Sequence, residues 1–193
     1  MPADPRDLER RVGAATDADT SRGMNFNALF ALVRDHLGDA AARACDPEGK
    51  GARVDFVSYP VASYLRIAWA AADWLEPALG SVDAVWAELG HRTISSFLGS
   101  TIGRTVFALA GRDPRRIVGA GPTGYRAAVS YGDRTVEWLG ERHARLVFRR
   151  DFMPAAFHAG VIRGAIVPTD ARSPTVEGRE VAFLESEYHV SWE

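Results

Sequence analysis

The 193 residues, with 47% hydrophobic, 25% charged and 10% aromatic side chains, fall in the middle of the range for globular domains. A chain of this length buries roughly 70% of its unfolded surface in one core, so it needs neither disulfides nor a structural metal, and a single cysteine, Cys45, excludes an intrachain disulfide or a thiolate-rich metal site. A net charge of −2 argues against a nucleic-acid binder held by overall electrostatics. No run approaches the ~18 apolar residues of a membrane span, and the polar N-terminus lacks the apolar stretch of a signal peptide, so the expected location is cytoplasmic.

Residues 1–21 mix charge, Ala, Pro and Thr without apolar periodicity and are expected to form a flexible N-terminal tail ahead of one α+β domain over residues 22–193. From Gly23, the spacing of Met24, Phe26, Leu29, Phe30, Val33 and Leu37 predicts a helix to about His36, with Asn25 or Asn27 as its cap and Gly38 as its stop. Asp39 then caps a short second helix, and Asp46 to Gly51 reads as a loop. Ser58-Tyr59-Pro60 is expected to open a third helix, whose stripe Val61, Tyr64, Leu65, Ala68, Trp69, Ala72 and Leu75 follows helical steps. Ser81 caps the next, Gly99-Ser100 divides it from a helix over Thr101–Leu109, and Asp113-Pro114 begins a short helical turn.

After Gly121-Pro122 the period changes from helical to two. Tyr125, Ala127, Val129 and Tyr131 alternate with polar or small residues, Gly132-Asp133 supplies turn residues, and Val136 and Trp138 resume the alternation, which predicts a hairpin. A further strand comes next over 144–150, then a helix beginning at Asp151 or Pro154 in which Gly160 and Gly164 would allow close approach to a neighbour. Two final strands are read over 175–184 and 188–193. The fold class is therefore α+β, with N-terminal helices packed on a C-terminal antiparallel sheet and one inserted late helix.

Gly119, Gly121 and Gly124 fit the G-x-G-x-x-G pattern of a dinucleotide-binding loop. That chemistry needs a buried parallel strand before the glycines and a helix behind them to present backbone N–H groups to the pyrophosphate. Only Ile117 and Val118 precede the first glycine as strand-like residues, and Gly132-Asp133 interrupts the chain soon after the last. The plainer reading is a Gly-Pro turn joining a helix to a hairpin.

Arginine outnumbers lysine 22 to one, a bias that reads as genomic composition before it reads as guanidinium chemistry. Ten arginines between residues 104 and 150 face four acids there, so an anion site is conceivable, although alternating sheet faces would disperse them. Glu185, Glu187 and His189 share one strand face and could ligate a metal, but a solvated polar face is the plainer reading, and no metal site is expected. His158 on the late helix, beside Gly160, is where a haem iron or another ligand could approach, against the ordinary reading of a core histidine with satisfied nitrogens. Cys45 next to Asp46 is poorly placed to be a nucleophile, and no G-x-S-x-G elbow occurs. Tyr64, Trp69, Trp74, Trp86 and Phe97 read first as core and, if an internal cavity exists, as its lining.

The phrases RGMNFNALF, DFVSYPVASYLRIAWAAADWL, FLGSTIGRTVFALAGRDPRRIV, YRAAVSYGDRTVEWLGERHARLVFRRDFMPAAFHAGVIRGAI and SEYHVSWE resemble, in order, a paralogous family of similarly sized Myxococcus-type proteins of unknown function. The resemblance covers nearly all of residues 22–193, and it implies that the glycines at Gly119 to Gly124 are not a motif the family keeps, in keeping with a turn and against a cofactor loop. At the level of element order, the helices followed by strands, with a small-x-x-x-small helix between, are also similar to the domain shared by haem-based NO sensors, 4-vinyl reductase-type ligand sensors and TRAPP tethering subunits. That likeness implies a ligand-binding or dimerising module. No Y-x-S-x-R motif and no late-helix cysteine carry haem or a linked lipid over residue by residue.

The expectation is an uncharacterised bacterial protein, a non-enzymatic module in signalling or regulation that binds a small apolar or anionic ligand or a protein partner. Its candidate contacts are Trp69 as pocket lining, Tyr125 at the rim, Arg149 and Arg150 for an anion, and His158 for the ligand. Two alternatives stand beside it: a flavin- or nicotinamide-dependent oxidoreductase using Gly119 to Gly124, and a homodimeric scaffold without a ligand.

Overall fold

Asp4, whose carboxylate accepts the Arg6 N–H at 2.9 Å, caps a helix where a flexible tail was expected. The computed structural model describes residues 3–193, so the first two residues of that predicted tail lie outside the described residues. Helix α1 (Pro5–Ala14) is held by Arg11, which is almost fully buried and donates to Asp7 at 2.7 Å and to Glu180 at 2.6 Å. An amphipathic arginine that packs its stem and pairs its head anchors a segment whose composition alone looks unstructured.

A short strand β1 (Thr20–Arg22) leads into α2 (Gly23–Ala44). Gly38 breaks α2 as expected, adopting φ 85°, a left-handed conformation that a residue with a Cβ rarely takes. Asn25 and Asn27 do not cap the helix. Asn25 donates to Ser21 Oγ at 2.8 Å, and Asn27 pins the 46–55 loop through the Arg53 carbonyl at 2.7 Å and Asp55 at 2.8 Å. Ser58–Pro60 is a strand, β2, paired antiparallel with β1, and not the first turn of a helix. Helix α3 (Val61–Leu79) starts after it and runs beyond Leu75 to a left-handed Gly80.

Ser81 and Ser100 cap α4 (Val82–Gly99) and α5 (Thr101–Ala110), accepting from Ala84 N–H at 3.2 Å and Gly103 N–H at 3.1 Å. The segment that reads as a turn and the arm of a hairpin is instead a fifteen-residue helix, α6 (Pro114–Ala128), capped by Asp113. Its glycines and Pro122 lower helix propensity, but the alternation at Tyr125, Ala127 and Val129 does not continue as strand because tertiary packing of Ile117, Val118 and Tyr125 favours the helix. The hairpin lies later, between β3 (Asp133–Gly140) and β4 (His143–Arg149).

Helix α7 (Ala155–Ile166) comes next, then β5 (Thr175–Ala182) and β6 (Glu185–Ser191). The four strands form one antiparallel sheet of order β3-β4-β6-β5. The fold is thus α+β, helices packed on a C-terminal antiparallel sheet with α7 inserted between β4 and β5. One core, around Phe26, Leu65, Trp69, Trp86 and Leu89, belongs to the helices, and a second, around Leu146, Phe148, Ile162, Tyr188 and Val190, lies under the sheet.

Helices α4 and α7 cross in backbone contact. A Cβ on Gly90 would stand 1.9 Å from the Phe157 carbonyl oxygen, and one on Gly160 would stand 2.0 Å from that of Ala87, so only glycine allows this approach. The small-x-x-x-small spacing of Gly160 and Gly164 has the role that the sequence suggests.

Candidate functional site

Where the two cores meet, they leave a partly enclosed cavity of about 130 Å³. Its walls are Ile94, Phe97 and Leu98 of α4, Val118, Gly121 and Gly124 of α6, and Phe157, Val161 and Ile162 of α7, with Leu146 from the sheet and Tyr64 from α3. Apart from a few polar groups the lining is hydrocarbon and aromatic, the usual composition of a small-molecule site. Gly121 and Gly124 open this wall, since a Cβ added to either would meet nothing within 4 Å.

The polar residues form a chain at one side. Tyr125 Oη lies 2.9 Å from His158 Nδ1, and His158 Nε2 lies 2.7 Å from Asp151 Oδ1. The other Asp151 oxygen takes a short hydrogen bond from Arg134 Nη2, and Met153 N–H donates to Oδ1 at 3.1 Å. Arg134 also donates to the Tyr131 carbonyl at 2.8 Å and lies 4.5 Å above the centre of the Tyr125 ring.

Burial pushes the Tyr125 phenol well above its ordinary range, so it keeps its proton beside Nδ1. Burial also opposes ionisation of Asp151, but His158 and Arg134 outweigh it and hold the carboxyl far below the usual carboxylate range. His158, Asp151 and Arg134 are all nearly inaccessible, so the chain is a buried, internally neutralised network.

Three buried side-chain polar atoms lack a hydrogen-bond partner among the described residues: Tyr64 Oη, Thr93 Oγ1 and Arg134 Nε. All three residues line this cavity. Tyr64 and Thr93 lie close enough to interact, yet their hydroxyls make no hydrogen bond of normal geometry.

The sequence profile of the family described as "Protein of unknown function (DUF2378)" matches residues 14–193. The chain belongs to the DUF2378 family. No curated protein matches it in sequence. Among solved structures, its fold is similar to the Fe(II) unliganded H-NOX protein of K. algicida, with a TM-score of 0.69 and 14% identity over 89% of this chain and 96% of that one. The H-NOX protein of S. oneidensis in the Fe(II)NO ligation state is similar at TM-score 0.68 and 13% identity, over 89% of this chain and 99% of that one. At such identities the likeness is one of fold, in keeping with the element order that suggested it.

In this DUF2378 chain, Tyr125 and His158 are in direct contact at the cavity. Trp69 lies instead in the helical core, its ring centre 4.7 Å from that of Trp86, and does not line the cavity. Arg149 is exposed at the end of β4, and Arg150 is engaged by Asp19 through bonds of 2.5 and 2.7 Å. The wider arginine cluster is likewise dispersed: Arg112 pairs with Asp170, Arg145 with Glu137 and Glu187, and Arg115 stacks 3.9 Å over Trp138. Of the aromatic residues proposed for a cavity, Tyr64 and Phe97 line it, Trp86 is core and Trp74 is exposed.

Gly119 to Gly124 form neither a dinucleotide loop nor a turn. They lie inside α6, where helical bonding occupies the backbone, and the sheet beside them has no parallel strand. Burial pushes the Cys45 thiol up to about 11, with Asp46 adding to the shift, so the sulfur is not a thiolate at neutral pH. Among the described residues no group of three or more His, Cys, Asp or Glu could hold a metal, and Glu187 is paired with Arg145 while His189 contacts His143.

Sequence reasoning missed Thr93, Arg134 and Asp151. A signal for Arg134 was present: it shares strand parity with Val136 and Trp138, so it is the one charge on the inward face of β3 and requires a buried partner.

Proposed function

We propose that this DUF2378 chain is a non-enzymatic ligand-binding module of a sensing or regulatory system, whose cavity takes up a small, mainly apolar molecule. The observation that carries this reading is the cavity itself, about 130 Å³ of hydrocarbon-lined space where two otherwise well-packed cores meet. It approaches the roughly 150 Å³ of engineered apolar cavities that stay dry and bind benzene or xenon. The fold shared with the H-NOX structures supports a sensing role over catalysis. So does the polar network: Tyr125, His158, Asp151 and Arg134 bond chiefly to one another and to backbone, leaving no free nucleophile or base among them at the cavity.

Solved structures of the H-NOX family include studies of haem distortion, so a haem is the cofactor that the fold suggests. The residues here do not fit one. His158, the only histidine among the described residues that line the cavity, engages both ring nitrogens in hydrogen bonds, so neither is free for iron. No cysteine is among those residues, and the cavity volume falls below the roughly 300 Å³ at which pockets for larger ligands begin.

Thermal unfolding of the full chain in rising benzene concentration tests the reading. A ligand that binds only the folded state raises Tm in proportion to its occupancy. A Tm unmoved up to benzene saturation, or a Soret absorption band in the purified protein, would count against it.

A further inference from the structure

The three buried polar atoms without partners are concentrated at one place, although an apolar cavity needs none. An unsatisfied buried hydroxyl costs free energy and is ordinarily removed or paired. Tyr64 is almost inaccessible and projects from α3 across the helical core, and Thr93 comes from α4, so two different elements bring adjacent hydroxyls to the same wall. Burial holds the Tyr64 phenol above its ordinary range, so its proton stays available for donation. Arg134 Nε, the third, is a donor only, on a guanidinium whose charge Asp151 already balances.

We infer that the cavity recognises a neutral molecule of benzene-like size bearing a single oxygen, a hydroxyl or a carbonyl, that is hydrogen-bonded by Tyr64 and Thr93. This rests on the cavity being a ligand site, as proposed above, and assigns the chemistry that the site selects. One oxygen has the lone pairs to accept from a hydroxyl donor, and a ligand hydroxyl can donate in return to Thr93 Oγ1. A carboxylate or phosphate is disfavoured, because the buried cluster has no uncompensated positive charge to offer. A pure hydrocarbon would leave the two hydroxyls with no partner beyond their own weak contact.

Titration calorimetry with phenol and with benzene, on the full chain and on Tyr64→Phe, Thr93→Val and the double variant, separates the outcomes. Both substitutions keep side-chain shape and remove only an unpaired hydroxyl, so Tm should hold or rise, and either single variant suffices if the double one does not fold. The expected result is phenol affinity falling about tenfold in the double variant while benzene affinity is unchanged or tighter. If benzene binds but the phenol-to-benzene ratio is the same in every variant, as when ordered water alone satisfies the hydroxyls, the oxygen-recognition inference is overturned and the apolar cavity stands. If neither probe binds, the ligand-binding reading falls, and this inference with it.

Discussion

The Tyr125 hydroxyl lies 2.9 Å from Nδ1 of His158, and through this contact α6 is tied to α7 across the cavity. Tyr125→Phe keeps the ring, which packs 5.0 Å from Phe148, but leaves Nδ1 buried without its hydrogen-bond partner. The expected loss is about 1–3 kcal/mol, the cost of one unsatisfied buried polar atom. Urea denaturation with an unchanged m-value would register it, and an unshifted midpoint would show that the bond carries no stability.

Asp151 carries a larger share, because it faces Arg134 and His158 in a site closed to water. Asp151→Asn leaves the guanidinium unpaired and should cost about 3–5 kcal/mol. Combining Asp151→Leu with Arg134→Met removes both charges together. Its loss should be distinctly smaller than that of either charge removed alone, and equal losses would show that the residues act independently.

The Asp19 carboxyl is held down to about 2 by its hydrogen bonds from Arg150, with burial opposing and Thr16 assisting. A carboxylate whose folded pKa is depressed stabilises fully above its unfolded value near 3.9, and the stabilisation is lost as pH falls through the folded value. The stability difference between the protein and Arg150→Ala should therefore be constant near neutrality and shrink between about pH 4 and pH 2. A pH-independent difference would show that the Arg150 effect is one of packing.

Gly121 and Gly124 face open space on a helical backbone, so alanine fits at both positions. Each substitution should stabilise the free protein by about 0.5–1 kcal/mol through helix propensity. Both methyl groups occupy cavity volume, so benzene binding should weaken in the same variants. Stabilisation without weaker binding would place the ligand elsewhere.

Legibility in the sequence tracked the length of the interactions involved. Helices α2 to α5, β4 and α7 follow from apolar periodicity and local caps such as Ser81 and Ser100, which act within three or four residues. Helix α1 has a local cap in Asp4 but little apolar periodicity, and what fixes it is Arg11, anchored by Glu180, 169 residues away. Helix α6 was hidden by glycines and a proline that normally mark a turn, while the burial of Ile117 and Val118 and the packing of Tyr125 that favour the helix are tertiary. At the site, Tyr125 and His158 stood out by residue type and position. Asp151 and Thr93 look like ordinary loop and helix-surface residues until the fold closes over them.

The backbone contacts at Gly90 and Gly160 have a mechanical consequence. With carbonyl oxygens of one helix occupying the space of absent side chains on the other, α4 and α7 form a stiff plate that cannot yield without breaking its closest contacts. The opposite wall, α6, carries three glycines and an internal proline over few buried residues, so it is the compliant side. An oversized occupant would therefore press on α6 first, and α6 leads directly to Val129, which bridges to Ser21, and Ser130, whose N–H donates to the Thr20 carbonyl at 3.0 Å, so the compliant wall is joined to the N-terminal strand.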